Sequence, residues 1–367
     1  MTLLLTVIAV ALIFEYINGF HDTANSIATV VSTKVLTPRL AILLAAVTNL
    51  VGALYGTAVA KTISTGLLDA KLIPADLATI SLICALGGAI VWNLATWWFG
   101  LPSSSSHALI GGLVGSGVAA ASNNFAVIVF SRPKVGMPWY KFDGLLYKVI
   151  IPMFLSPVMG FMVGMLLMGL LYVLLRKWTP KWVTRVFGKA QLASAAYMGF
   201  SHGSNDAQKT MGIIALAIVG ADQAGTLVNL PSWLEFLHHP MVKDASGKEG
   251  IATWIKLTCA VTMAAGTAAG GWKIIKTMGH KMVKLQPVHG FAAEATAASV
   301  LMTAAHFGMP VSTTHAITTS IMGVGCAKRF SALNLGVVER ILWAWFLTLP
   351  VTAVLAYVLM RSVLALR

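Results

Sequence analysis

The chain has 367 residues, of which 57% are hydrophobic and 10% are charged, and its mean hydropathy is +0.80. This composition leaves too little polar surface to cover a soluble globule of this length, so it excludes an ordinary water-soluble protein and predicts an integral membrane protein in a lipid bilayer. The net charge of +14 does not indicate a nucleic-acid partner, because the basic residues lie in short loops between apolar segments.

The apolar segments predict an all-α, polytopic membrane protein. Each is near the roughly 20 residues that span a hydrocarbon core as a helix. They cover residues 1 to 20, 40 to 60, 77 to 100, 149 to 175, 190 to 220, 251 to 272, 288 to 307 and 337 to 360. With the shorter segments between them, we expect about 10 to 12 transmembrane helices or half-helices. The first segment lacks a basic start and a cleavage signature, so we expect it to remain as a helix and not to be a signal peptide.

Basic residues divide the chain into two parts. One group lies near the middle of the chain and consists of Arg176, Lys177, Lys181, Arg185 and Lys189. Because short cytoplasmic loops are enriched in lysine and arginine, we place this group in the cytoplasm. We therefore expect a first transmembrane repeat over residues 1–175, a basic cytoplasmic linker over 176–189, and a second transmembrane repeat over 190–367.

Two polar motifs occur once in each part and in the same order. GFHDTANS begins at Gly19 and GSNDAQKT at Gly203, which aligns Asp22 with Asp206. GLPSSSSHALIGG and GMPVSTTHAITTS follow, and they align Pro102 with Pro310 and His107 with His315. Polar sequences repeated within apolar surroundings are typical of a duplicated transporter with a central substrate site, so we expect two inverted-topology repeats, each with a re-entrant helical hairpin.

The hydroxyl clusters suit an oxyanion. We expect Pro102 and Pro310 each to open a helix, since proline fits the first helical turn. The hydroxyls that follow would then lie beside free backbone N–H groups at a positive helix end. Ordinary N-capping also explains either cluster taken alone, but the repetition favours one anion held from both sides. In the first cluster we expect the chain to turn back at Gly111, Gly112, Gly115 and Gly117, with the hairpin tip at the midplane.

Four acidic residues fall within predicted membrane segments: Glu15, Asp22, Asp206 and Glu294. An ionisable side chain at the bilayer centre costs about 2.5–3.5 kcal/mol, so each needs a partner or a function. They could cap broken helices or pair with a buried base. For Asp22 and Asp206 we favour a function, because each lies beside Asn and Gly where the apolar helix is expected to be interrupted.

These motifs resemble those of the inorganic phosphate transporter (PiT) family over nearly the whole chain. That family carries a duplicated GANDxANxxxT signature and a P-x-S-[ST]-[ST]-H hairpin tip in each half. The resemblance implies that the tips bind phosphate and that the Asn/Asp motifs bind the coupling ion. It assigns substrate binding to Ser104, Ser105, Ser106, Asn205, Ser312, Thr313 and Thr314, and ion coupling to Asp22, Asn25 and Asp206. Glu294, as a further acidic residue in a membrane segment, is an additional candidate for ion coupling. Asp22 and Asp206 would also be the ligands of a co-transported metal.

The sequence departs from this pattern at two positions. His21 stands where the family has Asn, and Lys209 stands where it has the last Asn of the second motif. An ammonium cannot ligate sodium, so we expect Lys209 itself to fill one sodium site of the family. Histidine can carry a proton near neutral pH, so we expect His21 to take part in ion coupling. Both variants are similar to those of bacterial low-affinity permeases, a resemblance that implies proton coupling and transport of metal phosphate. Alternatively, Lys209 neutralises Asp206 on the same helix face and His21 bonds a backbone carbonyl.

We therefore expect a secondary symporter that imports phosphate, alone or with Mg²⁺ or another divalent metal, by alternating access on a proton gradient. Sodium coupling, a permease for sulfate or another oxyanion, and an anion channel remain alternatives. We predict no catalytic function and no cofactor, because the sequence has no nucleotide-binding or catalytic motif. The resemblance implies a homodimer in the bacterial cytoplasmic membrane, and we expect a structural role for His107 and His315.

Overall fold

A computed structural model describes residues 1–65, 67–228, 230–243 and 249–367. It confirms the all-α prediction, with twelve α-helices in the described part of the chain. The helices are α1 (Thr2–Ser32), α2 (Pro38–Ala53), α3 (Ala58–Thr65), α4 (Ala75–Phe99), α5 (Ser105–Ala120), α6 (Ile151–Leu174), α7 (Pro180–Gln223), α8 (Thr253–Ala269), α9 (Trp272–Lys276), α10 (Pro287–His306), α11 (Thr313–Cys326) and α12 (Leu335–Ala365). Proline begins α2, α7 and α10, where its missing N–H costs nothing.

Short elements connect these helices. Strands β1 (Met241–Lys243) and β2 (Glu249–Ile251) pair antiparallel, with Val242 opposite Gly250. Short 3₁₀ helices cover Ala70–Leu72, Phe125–Val127, Trp139–Lys141, Ser232–His238 and Phe330–Ala332, and π-helical turns cover Leu146–Ile150 and Thr277–Lys281.

Four described helices are long and apolar enough to span a bilayer by themselves. They are Thr2–Ser32, Ala75–Phe99, Leu146–Leu174 and Leu335–Ala365. A fifth span is formed if α2 and α3, which meet at a bend of 69°, cross together. The remaining apolar helices are shorter or carry polar motifs, which agrees with the expected mixture of full crossings and half-crossings.

The predicted basic linker is partly helical. Its last ten positions, 180–189, form the first turns of the 44-residue helix α7, so only a short non-helical segment separates α6 from α7. The division of the chain into a first and a second repeat stays a prediction.

Helices α1 and α7 cross in antiparallel directions at the middle of the molecule. Glu15 of α1 accepts a hydrogen bond from Thr210 of α7 at 2.5 Å, whereas Thr33, at the end of α1, bonds Gln191 near the start of α7 at 2.8 Å. One hydrophobic cluster includes the first half of α1 and the second half of α7, and another includes the opposite halves. The polar motifs of both helices therefore lie between two hydrophobic clusters.

Two glycines allow other helices to approach this crossing. A Cβ atom at Gly19 would lie 2.5 Å from the carbonyl O of Met263 on α8. A Cβ atom at Gly203 would overlap the carbonyl O of Asn49 on α2. Both neighbours are backbone atoms of packed helices, so only a residue without a side chain fits at these crossings. Gly19 and Gly203 occupy matching positions in the two motifs, and each packs its motif against one further helix.

We expect Gly203→Ala to destabilise the protein by roughly 1–3 kcal/mol, because α2 must move away from α7 to admit the methyl group. Gly188→Ala is the matched control on the same helix, since nothing lies within 4 Å of its Cβ position. We expect the control to be neutral or stabilising by about 0.5–1 kcal/mol. Thermal unfolding in detergent measures both, and equal melting temperatures for the two variants would contradict this account of the crossing.

Candidate functional site

The two hydroxyl-rich motifs form tips between α4 and α5 and between α10 and α11. At each tip, a glycine in the left-handed region follows the incoming helix: Gly100 has φ 66° and Gly308 has φ 64°. The four residues after each glycine are non-helical. Ser104 and Ser312 then cap α5 and α11, and their hydroxyls accept the backbone N–H three residues later at 3.2 and 3.1 Å. The two tips therefore share one local geometry.

The predicted reversal at the glycines of the first tip is wrong. Helix α5 continues unbroken through all four glycines, and the chain reverses before it, from Gly100 onward. Added Cβ atoms on three of these glycines would overlap atoms of α4 or α12, so the glycines permit close helix packing. The predicted positions of Pro102 and Pro310 in the first helical turn are also wrong, because both precede the capping serines.

The expected helix interruptions at the Asn/Asp motifs are absent from α1 and α7, which are both fully described. Each helix runs continuously through its motif. Breaks occur instead between α2 and α3 and between α8 and α9, the helices that pack beside the motifs. The polar side chains in α1 and α7 bond to facing helices and tips, so the backbone of neither helix has to open.

Asp22 is buried and accepts hydrogen bonds from two sides. Its carboxylate accepts the hydroxyl of Ser105 from the first tip, and it lies 2.7 Å from Nδ1 of His21. Thr314 of the second tip donates to it at 3.5 Å. The other ring nitrogen of His21 lies 3.1 Å from Oγ1 of Thr96 on α4. The alternative that His21 bonds a backbone carbonyl is therefore wrong, because both ring nitrogens face side-chain oxygens.

Asp206 forms a buried ion pair with Lys209, which lies one turn later on α7. Its second carboxylate oxygen accepts the hydroxyl of Thr313 at 2.9 Å and lies 3.1 Å from Nε2 of His202. The ion pair agrees with the sequence-based alternative for Lys209. The ammonium of Lys209 therefore compensates the negative charge of the Asp206 carboxylate.

The ammonium of Lys209 is surrounded by oxygen atoms of three kinds. Besides the Asp206 carboxylate, it donates to the hydroxyl of Ser106 and to the carbonyl O of Val311 at 3.1 Å. A carboxylate, a hydroxyl and a carbonyl are also the oxygen ligands that hard cations prefer. Lys209 thus places a covalently attached positive charge in a cation-binding environment.

One ligand atom from each of Asp22, His202 and Asp206 lies within 4.8 Å of the others. All three residues are buried. Two carboxylates and an imidazole at this separation form a donor set that can hold a divalent cation. In the sequence, His202 beside Gly203 is a further candidate for protonation, and no histidine stands at the matching position of the first half. Asn18 stands at the matching position of the first half, because each residue lies one helical turn before the aspartate of its motif. This spacing could have indicated from the sequence that His202 lies beside Asp206.

Asn25 connects the first motif to the second tip. Its amide donates to the hydroxyls of Thr313 at 3.1 Å and Thr314 at 3.0 Å. Asn205 is equally buried, but within the described part of the chain neither of its amide atoms has a hydrogen-bond partner. A buried, unpaired amide next to Asp206 can bind a substrate oxygen and a cation with the same side chain.

The structure does not bring Glu294 together with these residues. Its carboxylate accepts hydrogen bonds from Thr29, from Gln191 at 3.2 Å and from Ser194 at 2.5 Å. Thr29 lies seven positions after Asp22 on the same helix, a rise of about 10 Å at 1.5 Å per residue. Glu294 therefore belongs to a separate buried cluster.

His107 and His315 meet across the two tips. Their rings pack edge to face, with centroids 4.8 Å apart, and His315 also stacks on Trp345 at 3.9 Å. Trp345 donates to the carbonyl O of Pro102 at 2.9 Å. The histidine ring nitrogens have no hydrogen-bond partner among the described residues, so the two tips meet here by ring packing and not by a hydrogen bond.

We expect Asp206→Asn to destabilise the protein by about 3–5 kcal/mol, because it leaves the buried ammonium of Lys209 uncompensated. The double variant Asp206→Asn/Lys209→Gln removes both charges and should recover most of this loss. Thermal unfolding in detergent compares them. Asp76→Asn is the control, because Asp76 pairs with Arg367 on the surface and should contribute little. A double variant no more stable than Asp206→Asn would refute the ion pair as the cause.

Comparison with known proteins agrees with this architecture. A model described as the phosphate transporter family matches residues 18–356. The chain is 41% identical over 355 residues to the probable low-affinity inorganic phosphate transporter of Bacillus subtilis (strain 168), covering 96% of this chain and 95% of the relative. It is also 41% identical to a protein of the same description from Rhizobium meliloti (strain 1021), covering 96% and 94%.

A solved structure named the sodium-dependent phosphate transporter has the same fold, with a TM-score of 0.80, 22% identity and full coverage of both chains. The sequence resemblance to phosphate transporters is thus confirmed, as are the multi-pass membrane fold and the absence of an enzymatic role. The chain belongs to the phosphate transporter family.

Proposed function

We propose that this phosphate transporter is a proton-coupled symporter, and the position of Lys209 is the observation that carries the proposal. Its ammonium lies among the carboxylate of Asp206, the hydroxyl of Ser106 and the carbonyl of Val311. A sodium ion at that position would meet a fixed positive charge at hydrogen-bond distance. The site therefore already contains one cation, and the mobile charge that accompanies phosphate binds elsewhere.

Asp22 is the carboxylate that we assign to the mobile charge. Among the described residues no lysine pairs with it, and His21 lies 2.7 Å away. A proton shared between this carboxylate and this imidazole neutralises the repulsion that a phosphate between the tips would meet. Binding of the proton and binding of phosphate thus favour each other, which is the thermodynamic requirement of symport.

The tip hydroxyls link protonation to substrate binding in this proposal. Ser105 donates to Asp22, and Thr313 donates to Asp206 at 2.9 Å. A protonated Asp22 no longer needs the Ser105 hydroxyl as a donor, so the hydroxyl can rotate toward a phosphate oxygen. Phosphate then receives hydroxyls from both tips, together with the free N–H groups at the starts of α5 and α11.

A divalent metal can accompany phosphate as part of the cargo. The Asp22, His202 and Asp206 ligand atoms lie within 4.8 Å of one another, a spacing compatible with one cation. Transport of a metal phosphate complex would use this cluster for the metal and the tips for the anion. The same residues serve proton and metal, so we expect the two to compete at Asp22.

Alternating access by two inverted repeats is the motion that we propose. It is supported by the antiparallel crossing of α1 and α7 and by the matched backbone geometry of the two tips. A rocking motion would separate the tip contacts on one face and close them on the other. The homodimer and the bacterial cytoplasmic membrane stay predictions, the latter in keeping with the bacterial relatives.

The direct test is uptake of radiolabelled phosphate into proteoliposomes under a proton gradient or a sodium gradient, each with and without Mg²⁺. We expect accumulation with protons alone, and no requirement for sodium. A strict sodium requirement, as the name of the structural neighbour states for that protein, would refute proton coupling. Conductance without accumulation would indicate a channel, and stronger inhibition by molybdate than by arsenate would indicate a sulfate permease.

Lys209→Asn gives a sharper test, because it removes the attached cation and restores the residue of the family pattern. We expect proton-driven uptake to fall at least about 10-fold, the equivalent of 1.4 kcal/mol, and sodium to stimulate what remains. Lys189→Asn is the control, since Lys189 is an exposed lysine on the same helix. Unchanged proton-driven uptake in Lys209→Asn would show that the ammonium does not take the place of a coupling ion.

A further inference from the structure

A basic cavity of about 430 Å³ lies beside the second tip. Its walls come from the start of α3, from residues 134–148 before α6, and from the end of α10. The described residues that line it include four lysines and one aspartate: Lys61, Lys134, Lys141, Lys148 and Asp143. Asp143 forms an ion pair with Lys134 at 2.8 Å, and Lys141 and Lys148 add two further positive charges to the same wall.

These lysines lie on the face where the positive-inside tendency disfavours them. The helical span Leu146–Leu174 carries the chain from the cavity to the basic residues that begin at Arg176. If Arg176 and its neighbours are cytoplasmic, the cavity opens on the opposite, outer face. The positive-inside rule explains lysines on the cytoplasmic face only, so it does not explain several lysines around one cavity of the outer face.

Lys148 is held in place by the fold of the cavity wall. It is 6% exposed, and its ammonium donates to the carbonyl O of Tyr140 at 3.2 Å and of Phe307 at 2.9 Å. An ammonium has three N–H donors, and these two carbonyls account for two of them. A buried charge costs free energy unless it is well paired, and two neutral carbonyls neutralise none of it.

The cavity and the central site share one segment of chain. Phe307 and Gly308 line the cavity, and Thr62 of α3 donates to the carbonyl O of Gly308 at 2.7 Å. Three residues further along the tip, the carbonyl O of Val311 accepts from Lys209 and from Ser106 in the central site. The segment 307–311 of the second tip therefore borders the basic cavity at one end and the proposed phosphate site at the other.

We propose that this cavity is a peripheral oxyanion site that captures free phosphate on the outer face before it passes the second tip. The proposal rests on phosphate as the transported substrate, but not on proton coupling. Lysines concentrate a dianion through charge and hydrogen bonds, and a cavity with low-dielectric walls strengthens their field. An anionic lipid headgroup has the same phosphate chemistry, so the experiment must separate the two sources.

The test measures phosphate–phosphate exchange, with equal ion concentrations on both sides, so that no gradient is involved. In right-side-out vesicles from cells without other phosphate transporters, we expect Lys134→Gln/Lys141→Gln to raise the external KM about 3- to 10-fold. We expect the maximal rate to stay unchanged, because both side chains are exposed and neither belongs to the two motifs or the two tips. Lys177→Gln/Lys181→Gln removes two lysines from the opposite face and should leave the external KM unchanged.

Salt provides a readout that a structural defect would not reproduce. The KM difference between wild type and Lys134→Gln/Lys141→Gln should shrink as KCl rises from about 0.01 M to about 0.5 M, because the screening length falls severalfold. A lower maximal rate with an unchanged KM, or a KM difference insensitive to salt, overturns the proposal.

Purified protein in liposomes separates the two phosphate sources. In phosphatidylcholine alone, the KM difference should persist, because free phosphate is then the ligand. A difference that occurs only when phosphatidylglycerol is present would assign the cavity to a lipid headgroup and overturn capture of the substrate. Failure of proton-driven uptake in wild type would leave this exchange assay intact, so it tests the cavity separately from the coupling ion.

Discussion

The structure depends on the burial of two carboxylates at the crossing of α1 and α7. Asp22 and Asp206 lie within one cluster of ligand atoms no more than 4.8 Å apart, in a segment bounded by hydrophobic clusters on both sides. Two like charges at that distance in a low-dielectric interior are strongly unfavourable unless each is compensated. The tip hydroxyls, the histidines and Lys209 supply that compensation, which explains why the tips must reach the crossing.

Close approach of helices makes this compensation possible. Gly19 and Gly203 bring α8 and α2 against the two motifs, and α5 uses its glycines to pack against α4 and α12. Large side chains at these positions would move the tips away from the carboxylates by more than a hydrogen bond tolerates. The apolar packing and the polar site are therefore parts of one arrangement, and a change in either one alters the other.

The duplicated motifs carried most of the predictable information. Repetition of GLPSSSSH as GMPVSTTH was sufficient to predict two matching tips, and the repeated motifs aligned Asp22 with Asp206. That the two aspartates share one site was implied by the family resemblance and not by the alignment alone. The positions of the turns were not predictable in the same way. A run of polar residues in an apolar helix can mark a break in the helix or side chains that bond to another helix. The sequence is the same in both cases, and only tertiary contacts distinguish them.

Glycines were ambiguous for a related reason. In the first tip they can turn a chain or admit a neighbouring helix, and α5 uses them for the second purpose. The partners of Glu294 could not be predicted from the sequence. It has no counterpart in the other half, so no repeated pattern indicates which residues it contacts. The structure assigns it Thr29, Gln191 and Ser194, which come from two other helices.

The two halves differ most at the positions that neutralise charge. In the first motif, Asn18 and Asn25 flank Asp22 one turn before and three residues after it, whereas the second motif has His202 and Lys209 there. Asp206 therefore has a lysine counter-charge on its own helix, whereas the basic group beside Asp22 is His21 at 2.7 Å. Under the proposed mechanism, phosphate and the mobile charge are coupled through this asymmetry. Asp206 is already paired with Lys209, so the Asp22 side gains and loses the positive charge as phosphate enters and leaves.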